Sequence, residues 1–245
     1  MGRTSTYDDL FMINTERTLY PSLGATSSVN RTKTNTSKNS NYGTMSSYEV
    51  MRATDDCLRF TGKWEKFLGN PERNFYMILS AQPGFGKSTF ALDFANYLAT
   101  DHGRTIYFTN EENASRIRRK LEFIGAKLAK FDINFTANDP ATITRIVDSG
   151  RYDHVFIDSA QNAGFGYKDL WRFHETHPKT SLVAICRQTK DGKTRGSQNQ
   201  EYDGDITITF KKQGVAQTIK NRFNDLKTFV VFNANTSDDE EEFGF

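Results

Sequence analysis

Residues 81–88 read AQPGFGKS and are followed by Thr89. Glycines, a lysine and a hydroxyl residue at this spacing suit one task, holding a polyphosphate. Gly84 and Gly86 allow backbone angles that aim amide N–H groups at phosphate oxygens. A helix starting at the lysine turns its positive end on the same anion. Lys87 brings a point charge to the outer phosphates, and Ser88 offers a hydroxyl ligand to magnesium. Gln82, Pro83, Gly84, Phe85, Gly86, Lys87, Ser88 and Thr89 are therefore read as nucleotide-binding residues. Ala81 stands where the usual pattern has glycine.

Two further acidic positions complete a hydrolytic set. Asp158 ends the apolar run VFID. At the carboxyl end of a buried strand beside the one that feeds the loop, it would stand near Ser88 and share the magnesium ion. Glu111 and Glu112 follow a second apolar run, TIYFT. From that strand end a carboxylate can reach the space beyond the γ-phosphate and activate water. Glu111 is nearer the strand and is the expected base.

These residues need a sheet whose strand ends share one edge. Phe75 to Ser80, Thr105 to Thr109, His154 to Asp158 and Ser181 to Cys186 are short apolar runs and read as buried strands. Between them lie helical patterns. Lys87 to Thr100 carries Phe90, Ala91, Phe94 and Leu98, and Ser115 to Ile124 has a basic face of Arg116, Arg118, Arg119 and Lys120. Ala141 to Asp148 and Tyr167 to His177 complete the set. The alternation predicts an α/β fold, a mainly parallel sheet flanked by helices. After Tyr202 the runs Asp205 to Phe210, Val215 to Ile219 and Thr228 to Phe232 follow one another directly, with Gly214 in a turn. They predict an antiparallel C-terminal extension.

The folded body is expected over residues 48–235. Residues 1–47 include a stretch of Ser, Thr and Asn from Ser22 to Ser47 that holds no acid. It has too little apolar surface to offset its ordering entropy and is expected to be largely disordered. Residues 236–245 form an acidic tail. The net charge of +2 hides this asymmetry, because the tail holds five of the 30 acids while all 32 bases lie before it. A basic body suits a nucleic-acid partner. No apolar run approaches the roughly 18 residues that span a bilayer, and no secretory pattern opens the chain, so a cytoplasmic protein without a membrane partner is expected. Cys57 and Cys186 are far apart and lack metal-ligand spacing.

The set AQPGFGKST, IYFTNEEN, LEFIGA (Leu121 to Ala126), VFIDSAQ and KNRF (Lys220 to Phe223) resembles the ATPase core of the RadA (Sms) branch of the RecA superfamily. DnaB-type helicases and KaiC are its cousins. The resemblance implies a RecA-like P-loop NTPase core that uses ATP and Mg2+, with Glu111 as the catalytic base. It implies that Lys220 and Arg222 reach the ATP of an adjacent subunit in a homo-oligomer, a hexamer or filament. It also places a polar γ-phosphate sensor at Arg187 or Gln188. The sequence departs from that family in lacking a four-cysteine zinc module, and it ends in an acidic tail where the family continues into a protease-like domain. A stripped-down core of this kind suits a phage or mobile element.

Between the fourth strand and Asp205 lies a polar, glycine-containing segment with Lys190, Lys193, Arg195 and Gln198. In RecA-like proteins the loop at this point contacts single-stranded DNA. Its cations suit phosphate, and its near-absence of aromatics predicts little sequence preference. The expected function is an ATP-dependent recombinase, branch-migration or helicase-type ATPase, with a replication or recombination partner for the acidic tail. A DNA-packaging motor and a KaiC-like signalling ATPase without DNA activity are the alternatives.

Overall fold

The computed structural model describes residues 44–54, 56–126, 130–188 and 204–232. The expected DNA-contacting residues Lys190, Lys193, Arg195 and Gln198, the acidic tail and residues 1–43 lie outside them. Helix α1 (Ser47–Arg52) is a short unit by itself. Its first turn is closed by a capping box, in which Ser46 Oγ accepts from the Glu49 amide and the Glu49 carboxylate accepts from the Ser46 amide at 2.7 Å.

From Ala53 onward the described chain forms one compact unit. Its elements are α2 (Gly62–Leu68), β1 (Tyr76–Ala81), α3 (Lys87–Asp101), β2 (Thr105–Thr109), α4 (Ala114–Phe123), β3 (Asp132–Asn134) and α5 (Pro140–Gly150). They continue with β4 (His154–Asp158), α6 (Tyr167–Thr176), β5 (Ser181–Arg187), β6 (Ile206–Lys212), β7 (Val215–Asn221) and β8 (Thr228–Val230). The strands make one sheet in the order β3-β2-β4-β5-β1-β6-β7-β8.

The apolar runs form the centre of this sheet because both of its faces are covered. Period-two alternation divides each strand between two helical layers. Met77, Leu79, Tyr107, Phe156, Val183 and Ile185 meet Phe90, Phe94 and Leu98 of α3. Tyr76, Ile78, Val155, Ile157, Leu182 and Ala184 meet Ile143 and Val147 of α5 and Leu170 and Phe173 of α6. Cys186 is fully buried in the second layer.

The expected α/β architecture is present, with three differences. First, β4 does not lie beside β1, because β5 pairs with both strands and separates them. Second, β6 is parallel to β1, so the antiparallel extension begins only at β7. The chain leaves β5 at one edge and enters β6 at the other. Asp205 fixes that return, its carboxylate accepting from the Tyr76 amide at 2.9 Å. Third, α1, α2 and β3 have no counterpart among the elements expected from the sequence. β3 is a three-residue edge strand with no fully buried residue, so it carries no apolar run. α2 is too short for a periodic pattern, yet it buries Trp64, Phe67 and Leu68. Each such burial stabilises the fold by about 1.5–3 kcal/mol.

Candidate active site

The parallel register lines up four strand ends. Thr109 of β2 pairs with Asp158 of β4, Asp158 with Ile185 of β5, and Ala81 of β1 with Arg187 of β5. These strand ends stand at the carboxyl edge of the sheet, where open α/β folds bind ligands. The phosphate loop follows β1, Glu111 and Glu112 follow β2, Asp158 ends β4 and Arg187 ends β5. A cavity of about 400 Å³ lies there, lined by the loop and these side chains.

Within the loop, Gly86 has a φ of +104° and caps α3, whose first residue is Lys87. A left-handed cap at this point costs an L-residue strain that glycine avoids. The Lys87 ammonium donates to the carbonyls of Ala81 (2.9 Å) and Gln82 (3.2 Å). An ammonium has three N–H donors, so one remains for a phosphate oxygen. Burial pulls the Lys87 pKa below the ordinary lysine value, and the charges of Asp158 and Glu111 oppose that pull. Pro83, Gly84, Gly86, Lys87, Ser88 and Thr89 face the cavity. Phe85 instead packs against the core, and its carbonyl accepts from the Gly214 amide at 3.0 Å.

Asp158 is buried, and burial raises its pKa above the usual carboxylate value. Hydrogen bonds from Tyr107 and Ser88 work against that rise. The Tyr107 hydroxyl donates to Asp158 Oδ2 at 2.7 Å. The hydroxyl of Ser88 and the carboxylate of Asp158 thus form a pair of hard oxygen donors beside the phosphate cradle, a set that suits magnesium.

Glu111 is held from three sides. It accepts from Ser159 Oγ, from Asn162 Nδ2 at 3.1 Å, and from Arg187 Nη2 at 2.7 Å. Its hydrogen bond raises the Arg187 pKa further. Glu112 is half-buried and ion-paired with Lys120 of α4. The two glutamates therefore differ. Glu111 faces Lys87, Asp158 and Arg187, whereas Glu112 is tied to the basic helix.

The alternatives at β5 separate in the same way. Arg187 lines the cavity. Gln188 is absent from its lining, and its amide donates to Ser80 Oγ (3.1 Å) and Thr209 Oγ1 (3.2 Å). Lys220 and Arg222 are also away from this cavity. Asn221, between them, pairs with Ile206, which pairs with Met77 near the start of β1. About 13 Å of strand separates that level from the phosphate loop, at roughly 3.3 Å per residue. Arg222 is exposed and ion-paired with Asp205 at 3.0 Å. Sequence reasoning missed Tyr107, Lys120, Ser159 and Phe232. Lys120 stood out only as part of a basic helix face, and Tyr107 left a signal of its own, a hydroxyl between Ile106 and Phe108.

No protein-family model matches the chain. The flagellar accessory protein FlaH of Methanocaldococcus jannaschii superposes with a TM-score of 0.55 at 12% identity, over 72% of this chain and 94% of that one. A solved ATPase domain superposes with a TM-score of 0.54 at 14% identity, over 74% of this chain and 90% of its own. In sequence, the DNA repair protein RadA of Brucella abortus is 26% identical over 183 residues. The chain has the RecA-like P-loop ATPase fold and resembles RadA. The match to Brucella RadA spans 65% of this chain but 39% of that protein. RadA of Mycobacterium tuberculosis is 26% identical over 166 residues, 60% of this chain and 35% of its own length. In this RecA-like chain, as in the sequence pattern, the phosphate loop, Glu111 and Asp158 share one edge of the sheet. Among the described residues no helix is long and apolar enough to cross a membrane.

Proposed function

We propose that the chain hydrolyses ATP and couples hydrolysis to single-stranded DNA in a homo-oligomer, in recombination, branch migration or helicase-type unwinding. One observation carries the hydrolytic part: Lys87, Ser88, Asp158, Glu111 and Arg187 line a single cavity at the carboxyl edge of the sheet. Backbone amides of the loop and Lys87 bind the β- and γ-phosphates. Ser88 and Asp158 would hold magnesium, which when bound neutralises charge on the phosphate oxygens. Glu111 accepts the proton of the attacking water. The glutamate keeps its orientation through Ser159, Asn162 and Arg187.

Resemblance to RadA, a DNA repair protein by description, supports the DNA part. So does the cationic stretch with Lys190, Lys193, Arg195 and Gln198 that follows β5 in the sequence. Arg187 stands at the junction, in the phosphate cavity and one residue before Gln188. A change in its contact with Glu111 would pass directly into the segment proposed to grip DNA. Lys220 and Arg222 are proposed to act on the ATP of a neighbouring copy, since their own phosphate loop is at the far edge of the sheet.

The test is steady-state ATP hydrolysis with and without single-stranded and duplex DNA, for the natural chain and Glu111→Gln. Stimulation by single strands that disappears in Glu111→Gln supports both parts. Hydrolysis indifferent to every DNA overturns the DNA part and leaves the nucleotide part standing.

A further inference from the structure

The phosphate cavity has one wall that the chemistry above leaves unused. Phe232, the last described residue after β8, lines it beside Gly84, Gly86 and Thr89. Its ring lies directly on the loop: a Cβ built on Gly86 would fall 2.7 Å from Phe232 Cε1 and 3.1 Å from Cζ.

Main-chain contacts hold the ring there. The Val231 amide donates to the Gly214 carbonyl at 2.8 Å, and the Gly214 amide donates to Phe85 in the phosphate loop. Gly214 has a φ of +76°, and any Cβ there would stand 2.1 Å from the Phe232 carbonyl oxygen. The β6–β7 turn thus clamps the segment after β8 to the loop. The exposed ring of Phe123, at the end of α4, meets Phe232 edge-on with centroids 6.0 Å apart.

We propose that Phe232 is the face on which the base of the bound nucleotide stacks. The inference rests on the nucleotide-binding reading of this cavity. A nucleoside triphosphate has a charged end and a flat, largely apolar end. Lys87, Ser88 and the loop amides take the charged end, and Phe232 is the sole aromatic among the described residues that line the cavity. A half-buried ring fixed beside the loop presents a π surface without ordering a long side chain. Such a platform reads the face of a base rather than its edge, so adenine and guanine are both accepted. Phe123 packs against the ring in a T-shaped contact with centroids 6.0 Å apart.

Isothermal titration of the full chain with ATP, GTP and inorganic tripolyphosphate, in magnesium, tests this. In Phe232→Ala the affinities for ATP and GTP should fall together, by about tenfold, the order expected of a base–aromatic stack. Tripolyphosphate affinity should stay unchanged, which also shows that the loop is still formed. Phe232→Trp should restore ATP binding. Equal losses for ATP and tripolyphosphate overturn the proposal, because Phe232 would then only support the loop. A gain for both also overturns it, because the ring would then be a plug. Unchanged ATP affinity in Phe232→Ala overturns it as well. A natural chain that binds neither ATP nor tripolyphosphate would instead refute the nucleotide reading itself.

Discussion

Arg187 and Glu111 join two strands that are not neighbours. The guanidinium at the end of β5 and the carboxylate beyond the end of β2 meet at 2.7 Å, across the end of β4, which lies between them. This pair fixes the expected general base and ties it to the strand that leads into the cationic segment.

Two substitutions separate the halves of that pair. Glu111→Gln should keep nucleotide affinity and lower kcat by about 100-fold or more, since a positioned base contributes at least that much. Arg187→Ala should retain basal hydrolysis within a smaller loss but abolish its stimulation by single-stranded DNA. Parallel measurement of KM, kcat and DNA stimulation distinguishes the two.

Tyr107 and Asp158 form the most deeply buried contact of the site. In Tyr107→Phe the carboxylate loses a donor that water cannot replace. Urea unfolding should show a loss of about 1–3 kcal/mol, the usual cost of leaving a buried polar group short of a partner. An unchanged midpoint would mean that Ser88 alone satisfies Asp158.

The position of Arg222 makes a prediction about assembly. Alone, Arg222→Ala and Glu111→Gln should each hydrolyse ATP poorly. Mixed in equal amounts, they should recover activity, because some interfaces then combine an intact Glu111 with an intact Arg222. Mixing that yields only the average of the two would show that Arg222 does not act in trans.

His154 sets an acid limit on stability. The ring is fully buried on β4, with Nε2 3.3 Å from the His102 carbonyl oxygen and Nδ1 3.1 Å from Ser181 Oγ. Burial lowers its pKa to about 4. The unfolded chain, with a histidine near its ordinary value, binds the proton first as pH falls. Stability is therefore complete above about pH 6.5 and declines through the window down to about 4, by roughly 3 kcal/mol from this residue. Burial lowers His102 and His174 as well, so they act in the same direction. Thermal unfolding at pH 7 and pH 4.5 should show the loss, and His154→Gln should shrink it.

Much of this molecule is local chemistry and could be read from the chain. AQPGFGKST can cradle phosphate only through its own glycines and the helix that Lys87 begins, so neither needs distant partners to be recognised. HVFID and SLVAIC are apolar on both faces, which already demands two covering layers and a parallel sheet. The acids at the ends of TIYFT and VFID then had to stand near the loop, because parallel strands present their carboxyl ends on one edge.

Other features depend on which strands are neighbours, and strand order has no local signature. Only the fold inserted β5 between β1 and β4, paired β6 parallel to β1 and sent Lys220 and Arg222 to the opposite edge. Two adjacent residues with equal claims in the sequence, Arg187 and Gln188, were separated because successive side chains of a strand point to opposite faces. Phe232, 146 positions from Gly86 along the chain, reached the phosphate loop through a turn at Gly214. A contact between residues so far apart is set by closure of the whole sheet, and that is a property of the tertiary structure alone.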